Sequence, residues 1–131
     1  MDGLKNWLRA DPARGRALMH ENKSYVFFRE LPKTEAGKGP VGAQGVALTL
    51  GRSLAVDASY HALGTPIFVE APELKTPDGA PFRRLMIAQD VGSAIRGPER
   101  GDIFWGTGEA AGAIAGSTRH RASFVVLLPK R

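Results

Sequence analysis

Val46-Ala47-Leu48-Thr49-Leu50, Ser53-Leu54-Ala55-Val56 and Pro66-Ile67-Phe68-Val69-Glu70 are three short apolar runs in close succession. Gly51, Asp57-Ala58-Ser59 and Leu63-Gly64 separate them. Runs this short, bounded by turn residues, read as strands rather than helix faces. Arg84-Leu85-Met86-Ile87-Ala88 and Phe124-Val125-Val126-Leu127-Leu128 continue the series, the last as a buried strand up to Pro129. Short strands at intervals of roughly 8–12 residues indicate a β-barrel or sandwich. Pro72–Pro81, with Asp78-Gly79, predicts a hairpin-like turn. One small helix is predicted from Glu109 to about Ala115, with Thr107 as cap and Gly116 near its end. Its small residues, Ala110 to Ala113, predict a close neighbour.

Upstream of these strands the periodicity changes. Leu4, Trp7 and Leu8 fall at i, i+3, i+4 and predict a short amphipathic helix. Asp11-Pro12 ends it and opens a second, with Asp as N-cap and Pro at the first helical position. Ala13, Ala17 and Leu18 give that helix a narrow apolar face up to about His20. Ser24-Tyr25-Val26-Phe27-Phe28 reads as a strand. Residues 32–45 hold Pro32, Gly37, Gly39, Pro40, Gly42 and Gly45, which mark a seam.

Composition narrows the class. With 131 residues, 43% hydrophobic and 24% charged, the chain is one globular domain or part of one. No apolar run approaches the roughly 18 residues of a membrane-crossing helix. The absence of cysteine excludes a disulfide scaffold, a thiolate nucleophile and Cys-ligated metal. The net charge of +5 is spread as net +3 over residues 1–38, −2 over 39–79 and +4 over 80–131. No run of five bases exists, and a scattered basic surface is the plain reading. A nucleic-acid site would interleave aromatics with Arg83, Arg84, Arg119 and Arg121. Phe27, Phe28 and Phe124 instead read as buried, so no nucleic-acid partner is expected.

Several chemistries fail on spacing. Gly106-Thr107-Gly108-Glu109-Ala110-Ala111-Gly112 has one residue too many for a dinucleotide fingerprint, and no acid follows it. His20, His61 and His120 are too far apart to suggest a metal site. No nucleophile elbow surrounds Ser53, Ser93 or Ser117, and Gly37-Lys38 runs into Gly39 rather than a P-loop. Neither metal nor cofactor is expected. What remains is three acids beside predicted strands: Asp57 after Val56, Asp90 after Ala88-Gln89, and Asp102 before Ile103-Phe104-Trp105. Taken singly, each reads as a turn-making Asp.

Taken together they carry a resemblance. Gly42-Ala43-Gln44-Gly45-Val46-Ala47-Leu48-Thr49, Arg52-Ser53-Leu54-Ala55-Val56-Asp57, Ala88-Gln89-Asp90-Val91-Gly92-Ser93-Ala94-Ile95-Arg96-Gly97 and Asp102-Ile103-Phe104-Trp105-Gly106-Thr107-Gly108 resemble the C-terminal three-aspartate (3D) domain of the membrane-bound lytic murein transglycosylase A family. Ser24–Arg29 resembles the family segment just upstream. The resemblance implies a mainly β fold, a partial double-psi β-barrel with a short N-terminal helical segment and one small helix. It implies residues 1–38 as the tail of a second, groove-forming domain and 39–131 as the three-aspartate half of the barrel.

The implied activity is lytic cleavage of the β-1,4 bond between N-acetylmuramic acid and N-acetylglucosamine in peptidoglycan, leaving a 1,6-anhydromuramyl end. The family's three aspartates match Asp57, Asp90 and Asp102, with Asp102 carried over as the catalytic acid/base. Ordinary glycosidases use two carboxyl groups. Here the sugar's own C6 hydroxyl replaces water, at the high effective molarity of a group on the same ring. One carboxyl group then suffices: it protonates the leaving oxygen, then deprotonates that hydroxyl. The role requires Asp102 protonated near neutrality, above the ~3.9 of a free Asp. Burial beside Phe104 or Trp105, or a second carboxylate such as Asp90, would favour that. Asp90 is expected to support Asp102, electrostatically or by hydrogen bonding to sugar, and Asp57 to hold a barrel turn.

The resemblance also implies a longer protein, whose barrel is completed by strands N-terminal to this stretch. The expected partners are peptidoglycan glycan strands and the remaining barrel half or a second copy. The expected location is the periplasm or outer membrane, although Met1–Arg9 carries no secretion signal. The competing expectation is a non-catalytic glycan-binding module or an incomplete barrel fragment of such an enzyme.

Overall fold

The computed structural model describes residues 2–24, 27, 30, 38–76 and 78–130. Two compact units divide the chain, Met1–Glu30 and Leu31–Arg131.

The first unit is a helical hairpin of α1 (Asp2–Ala10) and α2 (Pro12–His20). Asp11 caps α2 as its sequence predicts: its Oδ1 accepts from the backbone N–H of Ala13 at 3.0 Å and of Arg14 at 3.1 Å. The helices meet through Gly15 rather than through the apolar face expected on α2, where Ala13, Ala17 and Leu18 are exposed. Gly15 is buried, and a Cβ there would lie 2.6 Å from the Leu8 carbonyl oxygen. Trp7 adds a cation–π contact with the Arg14 guanidinium at 4.2 Å. The strand expected over Ser24–Phe28 falls largely outside the described residues. Phe27, expected to be buried, is 94% exposed.

The second unit is one open five-stranded sheet. Its strands are β1 (Ser53–Val56), β2 (Pro66–Lys75), β3 (Pro81–Val91), β4 (Gly101–Ile103) and β5 (Ser123–Val126), and α3 (Glu109–Ser117) lies between the last two in sequence. The order across the sheet is β4-β1-β3-β2-β5. β2 and β3 form the hairpin that Asp78-Gly79 predicts. The Thr76 N–H donates to the Ala80 carbonyl at 2.9 Å, and the Glu70–Arg83 ion pair, at 2.6 Å, bridges two cross-strand partners. β1 joins β3 in parallel, whereas its other neighbour, β4, is antiparallel. The fold is therefore mainly β in this unit, and the described strands do not close into a barrel.

Alternation builds the core. Leu54 and Val56 of β1, Ile67 and Val69 of β2, and Phe82, Met86 and Ala88 of β3 are buried together. Phe82 meets Trp105 edge-to-face, with ring centroids 5.6 Å apart.

Four local expectations need correction. Val46–Leu50 is not a strand: it folds back on residues 39–42 through an isolated bridge, Val41 to Ala47, with Leu48 as its buried anchor. Phe124–Leu128 is not a buried strand, because β5 is a sheet edge with nothing described beyond it, and Leu128 is 78% exposed. α3 begins after Gly108, with no side-chain cap from Thr107. Nor is its small-residue face closely covered: Gly112 and Gly116 face open space, and only Ala111 and Ile114 reach the core.

Candidate functional site

β1 assembles the site. Ala55 pairs with Asp90 on β3 and with Asp102 on β4. Directly paired residues share a sheet face, so the two acids stand on the same side as Ala55, two strand spacings or about 10 Å apart at the backbone. Leu54 and Val56 point the other way, into the core. One concavity of about 390 Å³ then takes in Asp90, Asp102, Ala55, Leu48, Gly92 and Phe104. Asp90 lies within β3, which runs on to Val91, rather than after a strand ending at Ala88.

The two acids are held differently. Asp90 is half-buried, and its Oδ1 accepts from the Ala43 N–H at 3.0 Å. The loop that supplies this donor is fastened to the same strand, since the Gln44 N–H donates to the Gln89 carbonyl at 3.0 Å. Beside it the Ser53 hydroxyl donates to Gln89 Oε1 at 2.5 Å and accepts from the Thr49 N–H at 2.7 Å. Asp102 has no such cradle. Its side chain is 64% exposed, and Arg100 Nε lies 3.7 Å from its Oδ1. The burial expected beside Phe104 or Trp105 is absent: the Trp105 ring turns into the core, while Asp102 stands on the open face. Asp102 also lines a second concavity, of about 270 Å³, whose rim carries Arg100, Arg119 and His120.

Asp57 lies elsewhere, at the end of β1. Only 5% exposed, it accepts from the Ser59 hydroxyl, from the Gly97 N–H at 2.9 Å and from the Ser59 N–H at 3.0 Å. These donors hold its carboxyl well below the usual range, at about 2, with the Ser59 hydroxyl contributing most and the Arg96 charge least. The Asx-turn part of this arrangement is legible in the sequence. The bond to Gly97, forty residues on, is not.

Residues 52–128 match the 3D domain. The chain belongs to the 3D domain family. Residues 1–29 match the MltA specific insert domain. The membrane-bound lytic murein transglycosylase A of Vibrio cholerae is 37% identical over 124 residues, which are 92% of this chain and 32% of that protein. The crystal structure of a membrane-bound lytic murein transglycosylase from Agrobacterium tumefaciens superposes with a TM-score of 0.84 at 46% identity, over 98% of this chain and 34% of that one. Escherichia coli MltA with bound chitohexaose gives 0.75 at 34% identity, over 95% and 37%. The chain thus spans about a third of the length of the relatives it matches.

Two features of this 3D domain escaped the sequence reading. Arg100 is the cation beside Asp102; its signal is the spacing of two, which sets both side chains on one side of an extended segment. The Ser53–Gln89 bond lies inside segments that carry the resemblance, but nothing in either segment pairs them.

Proposed function

We propose that this chain is the three-aspartate part of a lytic transglycosylase that cleaves the MurNAc–GlcNAc β-1,4 bond of peptidoglycan and leaves 1,6-anhydromuramyl ends. The observation that carries the reading is the shared partner Ala55, which sets Asp90 and Asp102 over one concavity in a chain whose relatives bear that activity in their names. Asp102 is the acid/base. Its exposure gives it access to a glycosidic oxygen, and the bound glycan together with a second groove wall excludes water during reaction. Asp90, already fixed by the Ala43 N–H, supports it electrostatically or through the sugar. Asp57 is a structural latch. The assignment extends to organisation: residues 1–38 are the tail of the second, groove-forming domain, and 39–131 are one half of a double-psi β-barrel whose open sheet edges take the remaining strands. The site of action is the periplasm or the outer membrane.

The open sheet and the exposure of Asp102 favour one alternative, a non-catalytic glycan-binding module. One digest separates the two. Murein sacculi are treated with the chain, and with a chimera in which it replaces the matching third of the Vibrio cholerae relative. Anhydromuropeptides are then read by mass spectrometry. The proposal expects them from the chimera and expects Asp102→Asn to abolish them with the circular dichroism spectrum retained. Undiminished products from the Asp102→Asn chimera would refute the role of Asp102.

A further inference from the structure

The concavity holding Asp90 and Asp102 does not end at β3. It shares Val91, Gly92, Ser93 and Ile95 with a neighbouring one of about 340 Å³ that reaches Asp57 and Arg96. We read the two, which adjoin along these four residues, as one groove with Asp90 and Asp102 towards one end and Asp57 towards the other. Three carboxylates along its wall would repel an anionic polymer. Two of them already spend hydrogen-bonding capacity on backbone donors: Asp57 on Ser59 and Gly97, Asp90 on Ala43. Arg96 is the one cation among the described residues lining this groove. It is exposed and forms no ion pair with another described residue. Arg100 serves the other side of Asp102, where the second concavity opens.

We propose that Arg96 is a specificity residue that receives the carboxylate carried on O3 of N-acetylmuramic acid, and so marks the groove for murein over neutral chitin-type glycans. The inference rests on the reading of this groove as a glycan site. A muramyl residue differs from N-acetylglucosamine by its 3-O-lactyl group, which in a strand stripped of peptide ends in a free carboxylate on every second sugar. A guanidinium at the end of the groove remote from Asp102 suits that group. It matches a carboxylate in a bidentate fork, and it lines the concavity that Asp102 does not reach.

The test compares two probes on the full chain by NMR titration: peptide-free glycan strands, and chitohexaose as the neutral counterpart. The expected result is a preference of about two- to fivefold for the anionic strand at low salt, in the range of an exposed charge pair. The preference shrinks as salt rises. Arg96→Gln should bring the two affinities together without weakening chitohexaose, and Arg96→Lys should restore part of the preference. Both variants are checked for an unchanged amide spectrum, because Arg96 also lies near Asp57. If both probes bind and Arg96→Gln leaves their ratio as in the wild type, the assignment to Arg96 falls while the glycan groove stands. If neither probe binds, the glycan reading falls, and this inference with it.

Discussion

Replacing Gly42 with Ala tests whether Asp90 is held by the loop that the structure shows. Gly42 is not in the left-handed region of backbone space, so the effect is steric alone. A Cβ at this position would stand 2.5 Å from the Gln89 carbonyl oxygen and 2.7 Å from Leu48 Cδ2. The leucine methyl can rotate away. The carbonyl belongs to the backbone of β3, at the bulge between the β1-paired residues Ala88 and Asp90, and has no such freedom. The loop must therefore retreat by about 1 Å to regain ordinary contact. That movement stretches two 3.0 Å hydrogen bonds, Ala43 N–H to Asp90 and Gln44 N–H to the Gln89 carbonyl. A neutral bond contributes about 1 kcal/mol and one to a carboxylate about 1.5–3 kcal/mol. Partial loss of both, at an overpacked site, amounts to about 2–3 kcal/mol. For a domain of this size that is a fall of about 10 °C in Tm. The assay is a thermal melt followed by circular dichroism, with the Ala43 amide proton shift as the local readout. Gly112→Ala is the control: nothing stands near its Cβ, and an Ala in a helix interior should stabilise by about 0.5–1 kcal/mol. A Gly42→Ala protein that melts like the wild type, with its Ala43 amide unshifted, would refute the cradle around Asp90.

The remaining predictions concern acid, core and site. Asp57 titrates at about 2 against an ordinary 3.8, so the fold favours its ionised form. The stability this contributes is complete above about pH 4 and is lost as pH falls towards 2. Asp57→Asn should lower the urea midpoint at pH 7 and narrow the drop in midpoint between pH 6 and pH 2; an undiminished drop would place the acid sensitivity in other groups. Phe82→Ala removes a fully buried ring that packs on Trp105. It should cost about 3–5 kcal/mol in urea denaturation, whereas a cost near 1 kcal/mol would mean the core is looser than the structure shows. Asp102→Asn in the chimera should abolish anhydromuropeptide formation, and Arg96→Gln in the chain should erase the preference for the charged glycan.

Local chemistry was readable from residue order. Asp11-Pro12 announces a helix start because the cap and the preset φ act within one turn, and α2 begins there. Asp78-Gly79 announces a hairpin because that turn is made by its own residues, and β2 and β3 meet across it. The runs at Ser53, Pro66 and Arg84 became strands because alternation needs only a neighbour to bury against. Long, ordered motifs around Asp57, Asp90 and Asp102 carried the family. What residue order could not supply was anything set by a partner distant in the chain. Val46–Leu50 looks as strand-like as Ser53–Val56, yet it folds back on residues 39–42 because β1 takes β3 and β4 as its neighbours instead. Phe124–Leu128 looks buried, but an edge strand's exposure depends on what lies beside it. The placing of Asp90 and Asp102 on either side of Ala55 requires a parallel pairing and an antiparallel one to converge on a single residue. Such registers come from packing the whole apolar face at once, and so appear only when the sheet is assembled.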